Sequence, residues 1–418
     1  MSYETFLAKK TEIHKSCGLE CAPGDVNPIL KPHQRDCVVW AVQGGTRALF
    51  EAFGLGKTMQ QLEIIRIILS KLGGGRGLIV APLGVRQEFT RDAALLGLTI
   101  RFIRFSAELE QLELLDAGSG IWITNYESIR DGRLNPLLFD VVSLDEASCL
   151  RGFGGTKTFR EFMALFAGDR KTMDARTKSR GVQYRFVATA TPSPNEYIEL
   201  LAYAAFLGIM DVSAAKTRFF KRDSTKADSL TIHPHKEREF WLWVASWAIF
   251  LQKPSDLGYS DVGYSMPELD VRWHEVASDF SNVATERDGQ GRLFRNVAIG
   301  VVDASREKRE SLSGRIAKML ELRAEDPGAH RLIWHDLEDE RRAIEDAIPD
   351  ITTVYGTMDL EQREANIIAF SDGRIQELAA KPVLAGSGCN FQYHCHWAIF
   401  LGIGFKFNDF IQAVHRIQ

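Results

Sequence analysis

The strongest chemical signal in the sequence is the glycine-rich segment FGLGKT at residues 53–58. It follows a short apolar run and opens a helical pattern, which is the context of a phosphate-binding loop. Gly54 and Gly56 would let backbone N–H groups approach phosphate oxygens, and a helix N-terminus favours an anion. The segment predicts a nucleotide site in which Lys57 contacts the β- and γ-phosphates and Thr58 ligates Mg²⁺. A glycine-rich strand-to-helix turn is the alternative.

An acidic pair supplies a second signal, in the segment VVSLDEAS at residues 141–148. The apolar run predicts a strand that delivers Asp145 and Glu146 at its carboxyl end. There Asp145 could hold Mg²⁺, and Glu146 could orient or deprotonate an attacking water. The same pair on a solvated surface would have no chemical role.

Two further segments could act on the same chemistry. RFVATATPSPN, at residues 185–195, predicts a strand whose exit carries Thr189 and Thr191, which could link a nucleotide site to a nucleic-acid surface. The alternative is an ordinary turn. QAVHRIQ, at residues 412–418, contains Arg416, a candidate arginine finger for a transferring γ-phosphate. The alternative for one arginine on a terminal helix is a solvated surface charge.

These residues need a scaffold, and two regions alternate short apolar runs with helical patterns, which predicts parallel sheets covered by helices. The first region has predicted strands at 48–50, 78–81, 100–105, 121–124, 141–144 and 186–188, with a helix at 59–71. The second has predicted strands at 331–334, 352–354, 378–380 and 398–401, with helices at 307–322, 337–347 and 360–370.

The stretch 214–306 breaks this alternation and is predicted to be a helical and irregular connector. Its basic loop carries Lys216 and Arg218, which are candidates for contact with a nucleic-acid backbone, as is the basic tract at 170–180. Its Trp-rich run, 240–250, predicts one helix that packs in a core, because the run is apolar on nearly every side.

Composition sets limits on the class of protein. The chain has 418 residues, 45% of them hydrophobic and 25% charged, with a net charge of −4, which is typical of a folded globular protein. Nucleic acid would therefore have to bind through a local basic surface. No apolar signal segment or membrane-length run is present, and six cysteines are too few for a disulfide framework. A cytoplasmic protein without membrane partners is expected.

The motifs occur in a fixed order: GLGKT, DEAS, ATATP and QAVHR. They are accompanied by ILKPHQRDCVVWAV at 29–42 and WITNYESIR at 122–130. This ordered set resembles superfamily 2 helicases and translocases, which are DEAD/DEAH-box-like proteins. It is most similar to the Swi/Snf-type branch and its bacterial and phage relatives. Serine at position 148 departs from the histidine of the usual acidic box.

The resemblance implies a P-loop NTPase with two RecA-like α/β lobes and with ATP and Mg²⁺ in the cleft between them. Hydrolysis would drive movement on DNA, with duplex DNA as the favoured partner. Gln34 would read adenine, and Asn125 would contact the nucleic-acid backbone. The second lobe would add Gln412 and Arg416 to the catalytic set of Lys57, Asp145 and Glu146.

The expected division is an N-terminal extension (1–28), an ATP-binding lobe (29–213), the connector (214–306) and a second lobe (307–418). The second lobe is expected to be incomplete at its C-terminus, which would leave Arg416 weakly held. Two other functions stay open. One is the motor subunit of a restriction-modification system with a nuclease or methyltransferase partner. The other is a non-catalytic, ATP-binding DNA scaffold.

Overall fold

The computed structural model describes residues 14–82, 84–113, 118–147, 150, 162–166, 181–193, 196–222, 230–264, 267–276, 301–386, 390–404 and 407–417. Ser148 and the basic tract at 170–180 lie outside these residues. The chain divides into two compact units, Met1–Ser265 and Met266–Gln418, each described by itself below. Each unit contains one parallel sheet with helices, so the predicted α/β class with two parallel-sheet lobes is confirmed.

The sheet of the first unit has seven parallel strands. The first six are β1 (Thr46–Glu51), β2 (Arg76–Ala81), β3 (Ile100–Phe102), β4 (Gly120–Asn125), β5 (Val141–Asp145) and β6 (Tyr184–Thr189). Two short strands, β7 (Phe220–Arg222) and β8 (Leu230–Ile232), form a separate antiparallel pair. The seventh strand of the sheet is β9 (Ala248–Leu251), and the spatial order is β3-β4-β2-β5-β6-β1-β9.

Helices cover both faces of this sheet, which is why its strands are near-continuous apolar runs. Alternate residues of β1 enter two separate cores: Ala48 and Phe50 pack on one face and Leu49 on the other. The helices of the first unit include α1 (Pro32–Gly44), α2 (Lys57–Leu72), α3 (Arg86–Leu95), α4 (Ser106–Glu113), α5 (Tyr126–Arg130), α6 (Leu200–Phe206), α7 (Val212–Phe219) and α8 (Glu237–Ala245).

The Trp-rich run is two elements rather than the single predicted helix. Helix α8 ends at Ala245, and β9 then pairs with β1 in parallel. Periodicity cannot separate a buried helix from a buried strand in a short run that is apolar on all sides, so the strand was missed. The expected core packing is confirmed for Trp243 and Trp247, which are fully buried. Part of the predicted connector therefore completes the first sheet.

The second unit has a sheet of four parallel strands in the order β11-β12-β10-β13. These are β10 (Arg331–Trp334), β11 (Thr352–Val354), β12 (Glu377–Ala380) and β13 (Trp397–Phe400). Its helices are α9 (Val301–Glu310), α10 (Leu312–Glu325), α11 (Glu338–Ala347), α12 (Leu360–Ser371), α13 (Pro382–Ala385) and α14 (Phe407–Val414). The helix predicted at 307–322 is thus two helices that meet at Ser311.

Among the described residues, no helix combines the length and the apolar character that crossing a lipid bilayer requires.

Candidate active site

The predicted chemical residues of the first unit gather at the carboxyl edge of its sheet. Strands β5, β6 and β1 are neighbours in that order, and they end at Asp145, Thr189 and Glu51. The carboxyl edge of an open parallel sheet is where such folds bind ligands. The sheet order therefore brings the glycine-rich loop, the acidic pair and the two threonines to one place.

The glycine-rich loop has the backbone of an anion-binding turn. Gly54 and Gly56 have φ values of 80° and 82°, in the left-handed region, and α2 begins directly afterwards at Lys57. The Lys57 ammonium donates to the carbonyl oxygens of Glu51 and Ala52, at 2.9 Å each. The lysine thus lies along the loop, where its charge would meet an incoming phosphate.

Two glutamines hold the carbonyl of Leu55 inside the protein. Gln34 Nε2, from α1, donates to Leu55 O at 2.9 Å, and Gln60 Nε2, from α2, donates to the same oxygen at 3.2 Å. In a trans peptide the following N–H points away from that carbonyl, so the Gly56 N–H is directed to the opposite side. A Cβ at Gly56 would lie 2.2 Å from Gln34 Nε2, so this position requires glycine for space as well as for φ.

The structure therefore gives Gln34 a role in shaping the loop. Its Oε1 accepts from the Lys31 N–H at 2.8 Å, so both ends of the amide are engaged, and the side chain is buried. Its contact with adenine stays a prediction.

The acidic pair is buried and held by side chains from three elements. Asp145 Oδ1 accepts from Gln61 Nε2 at 2.8 Å, and the Asp145 carbonyl accepts from the Tyr126 hydroxyl at 2.7 Å. Glu146 Oε2 accepts from Thr189 Oγ1 at 3.0 Å. Glu146 also has a φ of 45°, a conformation that non-glycine residues adopt only where the surroundings enforce it. The backbone strain lies at the residue with the predicted catalytic role.

The two threonines are linked to this acid. Thr189 is fully buried, and its Oγ1 accepts from the Thr191 N–H at 3.2 Å while it donates to Glu146. The exit of β6 is therefore connected to the acidic pair through one hydroxyl group. The role of this connection in coupling to nucleic acid stays a prediction.

Glu51 stands at the position where the full phosphate-loop pattern has glycine, and it is completely buried beneath the loop. Gln60 Nε2 donates to its Oε2 at 2.7 Å. Burial raises the pKa of the Glu51 carboxyl from 4.5 to about 7, although the Lys57 ammonium and the Gln60 and Cys37 hydrogen bonds oppose this rise. The native carboxyl thus keeps its proton to a higher pH than the unfolded chain does.

Glu51→Gln is expected to change how stability depends on pH. In the wild type, the stability contributed by protonated Glu51 is present below pH 4.5 and is lost as the pH rises to about 7, because the native state then binds more protons than the unfolded state. The variant has no carboxyl at this position to titrate. The difference in free energy of unfolding, variant minus wild type, should therefore increase by about 2–3 kcal/mol between pH 4.5 and about pH 7. Denaturant unfolding at several pH values measures this.

Glu20→Gln, which makes the same chemical change at an exposed acid, serves as the matched control. A Glu51→Gln protein with the same slope as wild type would contradict the assignment.

The three candidate residues for nucleic-acid contact differ in their exposure to solvent. Asn125 is buried, and its Oδ1 accepts from the Ser128 N–H at 2.8 Å, which caps α5. Lys216 is exposed on α7. Arg218 forms an ion pair with Glu239, with 2.8 Å between Nη2 and Oε1. Of these three, Lys216 presents its charge most openly to solvent.

In the second unit, Gln412 and Arg416 are both buried. Arg416 Nε donates to the Gly386 carbonyl at 2.7 Å, and the Arg416 carbonyl accepts from the Phe391 N–H at 3.1 Å. The solvated surface charge and the weakly held arginine are therefore both wrong, because the segment around Phe391 packs against the end of α14. The catalytic role of the two residues stays a prediction.

The residues present suit a nucleotide with Mg²⁺. Thr58 offers a hydroxyl and Asp145 a carboxylate, and oxygen ligands of this kind are the ones Mg²⁺ prefers. Apart from Gly54 itself and its two chain neighbours, no heavy atom of the described residues lies within 4 Å of where a Cβ of Gly54 would be, so this side of the loop is open. The donor set and the loop fit this ligand pair.

Four contributors to the site were not singled out from the sequence: Gln60, Gln61, Tyr126 and Glu51 as a buried acid. Adjacent glutamines in the first turns of a helix have the pattern of a solvated face. Only the position of Gln60 and Gln61 directly after the loop, on the side that faces the strands, gives a signal that could have found them.

No protein-family model matches the chain. A stretch of 118 residues is 30% identical to Protein CHROMATIN REMODELING 24 of Arabidopsis thaliana. This match covers 26% of the chain, and the chain spans only 11% of the length of that relative. A solved SWI2/SNF2 ATPase core of Sulfolobus solfataricus, in complex with dsDNA, aligns with 92% of this chain and 84% of its own, at 17% identity and a TM-score of 0.45. The plant sequence supports the resemblance to the Swi/Snf-type branch that the motifs carry.

Proposed function

We propose that this chain is an ATPase whose turnover is coupled to duplex DNA. The observation that carries the proposal is the contact between α2 and β5 at the carboxyl edge of the first sheet. Gln61, one turn after the phosphate loop, donates to Asp145 of the acidic pair. This contact supports the proposal, because it joins the loop proposed to hold phosphate to the acids proposed to activate water.

Each residue then has a defined task. The loop N–H groups and Lys57 would bind the β- and γ-phosphates, with Lys57 exchanging its carbonyl partners for phosphate oxygens. Thr58 and Asp145 would hold Mg²⁺, which when bound neutralises phosphate charge. Glu146 would orient the attacking water and accept its proton. Gln412 and Arg416 are proposed to contribute to hydrolysis, Arg416 by its positive charge.

DNA as the partner is supported by the order of the motifs and by the plant relative, which is named for chromatin remodelling. Three exposed basic side chains are proposed to contact the phosphate backbone of the DNA: Lys216 on α7 and Lys221 and Arg222 on β7. We further propose that hydrolysis drives translocation along the duplex rather than strand separation, as the Swi/Snf-type resemblance implies.

ATP turnover measured in parallel with no nucleic acid, single-stranded DNA, duplex DNA and RNA tests the proposal. Duplex DNA should stimulate turnover most. Stimulation by RNA alone would move the chain to another branch of the superfamily, and ATP binding without turnover under any condition would favour the scaffold function.

Removal of the basic side chains should weaken DNA binding. A triple variant with Lys216→Ala, Lys221→Ala and Arg222→Ala is expected to bind duplex DNA about tenfold more weakly, and to lower the dependence of affinity on salt, because fewer counterions are released. Fluorescence anisotropy across a salt series measures both quantities.

A triple variant of the exposed Lys15, Lys71 and Lys253 removes the same charge elsewhere on the first unit and serves as the control. Equal effects of the two triple variants would show that net charge, and not this surface, governs binding.

A further inference from the structure

A buried chain of hydrogen bonds links Ser143, Gln61 and Asp145. The Ser143 hydroxyl donates to Gln61 Oε1 at 2.6 Å, and Gln61 Nε2 donates to Asp145 Oδ1 at 2.8 Å. The exposed fractions of the three residues are 1%, 0% and 6%. Polar groups this deeply buried keep partners because an unpaired one would carry the full free-energy cost of desolvation.

The geometry fixes which end of the glutamine faces the carboxylate. A hydroxyl that donates to Oε1 leaves the amide N–H₂ directed at Asp145. Ser143 and Asp145 are two residues apart on β5, so both lie on the same face of the sheet, and one side chain from α2 can reach both. The Asp145 carboxylate is thereby oriented by the Gln61 amide, which is itself fixed by the Ser143 hydroxyl.

The identity of the donor matters for a cation ligand. An amide is neutral, so it can orient a carboxylate without cancelling its charge, whereas an arginine or lysine in the same place would compete electrostatically with a metal ion. A neutral, buried donor is the kind of partner that keeps a carboxylate both oriented and anionic.

The location of Gln61 on its helix adds a further observation. Thr58 and Gln61 are three residues apart in α2, so they project from the same helix face. The helix that carries the candidate hydroxyl ligand of Mg²⁺ also carries the donor that orients the candidate carboxylate ligand. A displacement of α2 against β5 would disturb both ligands together.

We propose that Gln61, supported by Ser143, is a positioning residue that orients Asp145 for Mg²⁺. This rests on the proposed function, because it needs the phosphate loop to bind ATP with Mg²⁺. Gln61 does not touch ATP in this proposal and acts only through Asp145.

The test measures ATP affinity by isothermal titration calorimetry with Mg²⁺ and, separately, with EDTA. Wild type should bind more tightly with Mg²⁺. Methionine has a shape similar to that of glutamine but cannot form these hydrogen bonds. In Gln61→Met, the ratio of ATP affinity with Mg²⁺ to ATP affinity with EDTA should therefore be about tenfold smaller than in wild type, the usual effect of removing a hydrogen-bond partner of a metal ligand. The affinity of this variant in EDTA should stay at the wild-type value, because the loop contacts remain.

Further variants separate positioning from folding. Ser143→Ala should lower the Mg²⁺-dependent increase in ATP affinity, by less than Gln61→Met does. Ser143→Thr keeps the hydroxyl and should retain the wild-type increase. Gln43→Met removes another glutamine whose Nε2 donates to a carbonyl, that of Cys21 at 2.8 Å, and should preserve the increase. If Gln61→Met fails to fold, as judged by thermal unfolding, the two Ser143 variants decide the question.

The outcomes are distinguishable. Full Mg²⁺-dependent tightening in both folded Gln61→Met and folded Ser143→Ala would overturn the positioning role, as would an equal loss of affinity with Mg²⁺ and with EDTA. A wild-type protein that binds no ATP in either condition would instead overturn the proposed function itself.

Discussion

Lys57→Ala is expected to abolish ATP hydrolysis, with turnover lower by about 10³-fold, while the chain stays folded. The ammonium lies along the glycine-rich loop, where it donates to the backbone carbonyls of Glu51 and Ala52. Its removal takes away a fixed positive charge that would act on phosphate oxygens, and loss of one preorganised group of this kind has effects of about 10²- to 10³-fold. Steady-state turnover with saturating ATP and DNA measures this.

A second lysine on the same helix provides the control. Lys71 lies in the last turn of α2 and pairs with Asp25 at 3.0 Å on the surface, so Lys71→Ala should leave turnover near the wild-type value. Circular dichroism and thermal unfolding would show whether both variants fold. Near-normal turnover in a folded Lys57→Ala protein would refute the phosphate-loop assignment.

Glu146→Gln should separate nucleotide binding from chemistry. Glutamine keeps the size of the side chain and can still accept the hydrogen bond from Thr189 Oγ1, but it cannot take a proton. Turnover should fall by about 10²-fold or more, as for the loss of a general base, while ATP affinity is retained. Equilibrium binding of ATP and single-turnover hydrolysis measure the two quantities.

Glu196→Gln, at an exposed acid of the same unit, is the matched control and should change neither quantity. An equal loss of binding and turnover in Glu146→Gln would show that the carboxylate is structural.

The parts of the fold that were predictable have a local cause. Six strands of the first sheet were found because both faces are buried, so that each strand is a short apolar run between turns. The loop at 53–58 could be predicted because the pattern of a phosphate loop, glycines followed directly by a lysine, is contiguous in the sequence. In both cases the residues that form the recognisable sequence pattern are the same residues that form the strand or the loop.

The parts that were missed depend on distant residues. The strand β9 is a strand because β1 offers it an edge, and nothing within its own four residues distinguishes it from a helix. The burial of Arg416 depends on Gly386 and on the Phe391 segment. The positive φ of Glu146 and the reach of Gln61 to Asp145 likewise arise from tertiary packing, which no local pattern encodes.

The position of β1 in its sheet has a consequence for the order in which the site is assembled. Both neighbours of β1 come from far along the chain: Ala48 pairs with Val187 in β6 and with Ala248 in β9. The strand that delivers the phosphate loop is thus made early by the ribosome but finds its partners late, whereas β2 and β4 pair across a much shorter stretch. Contacts of such long sequence separation form slowly, because loop closure must precede them. During synthesis, the first sheet is therefore completed only after the Trp-rich segment has left the ribosome, so the strand that leads into the glycine-rich loop gains its second neighbour at the end of folding of this unit and not at its start.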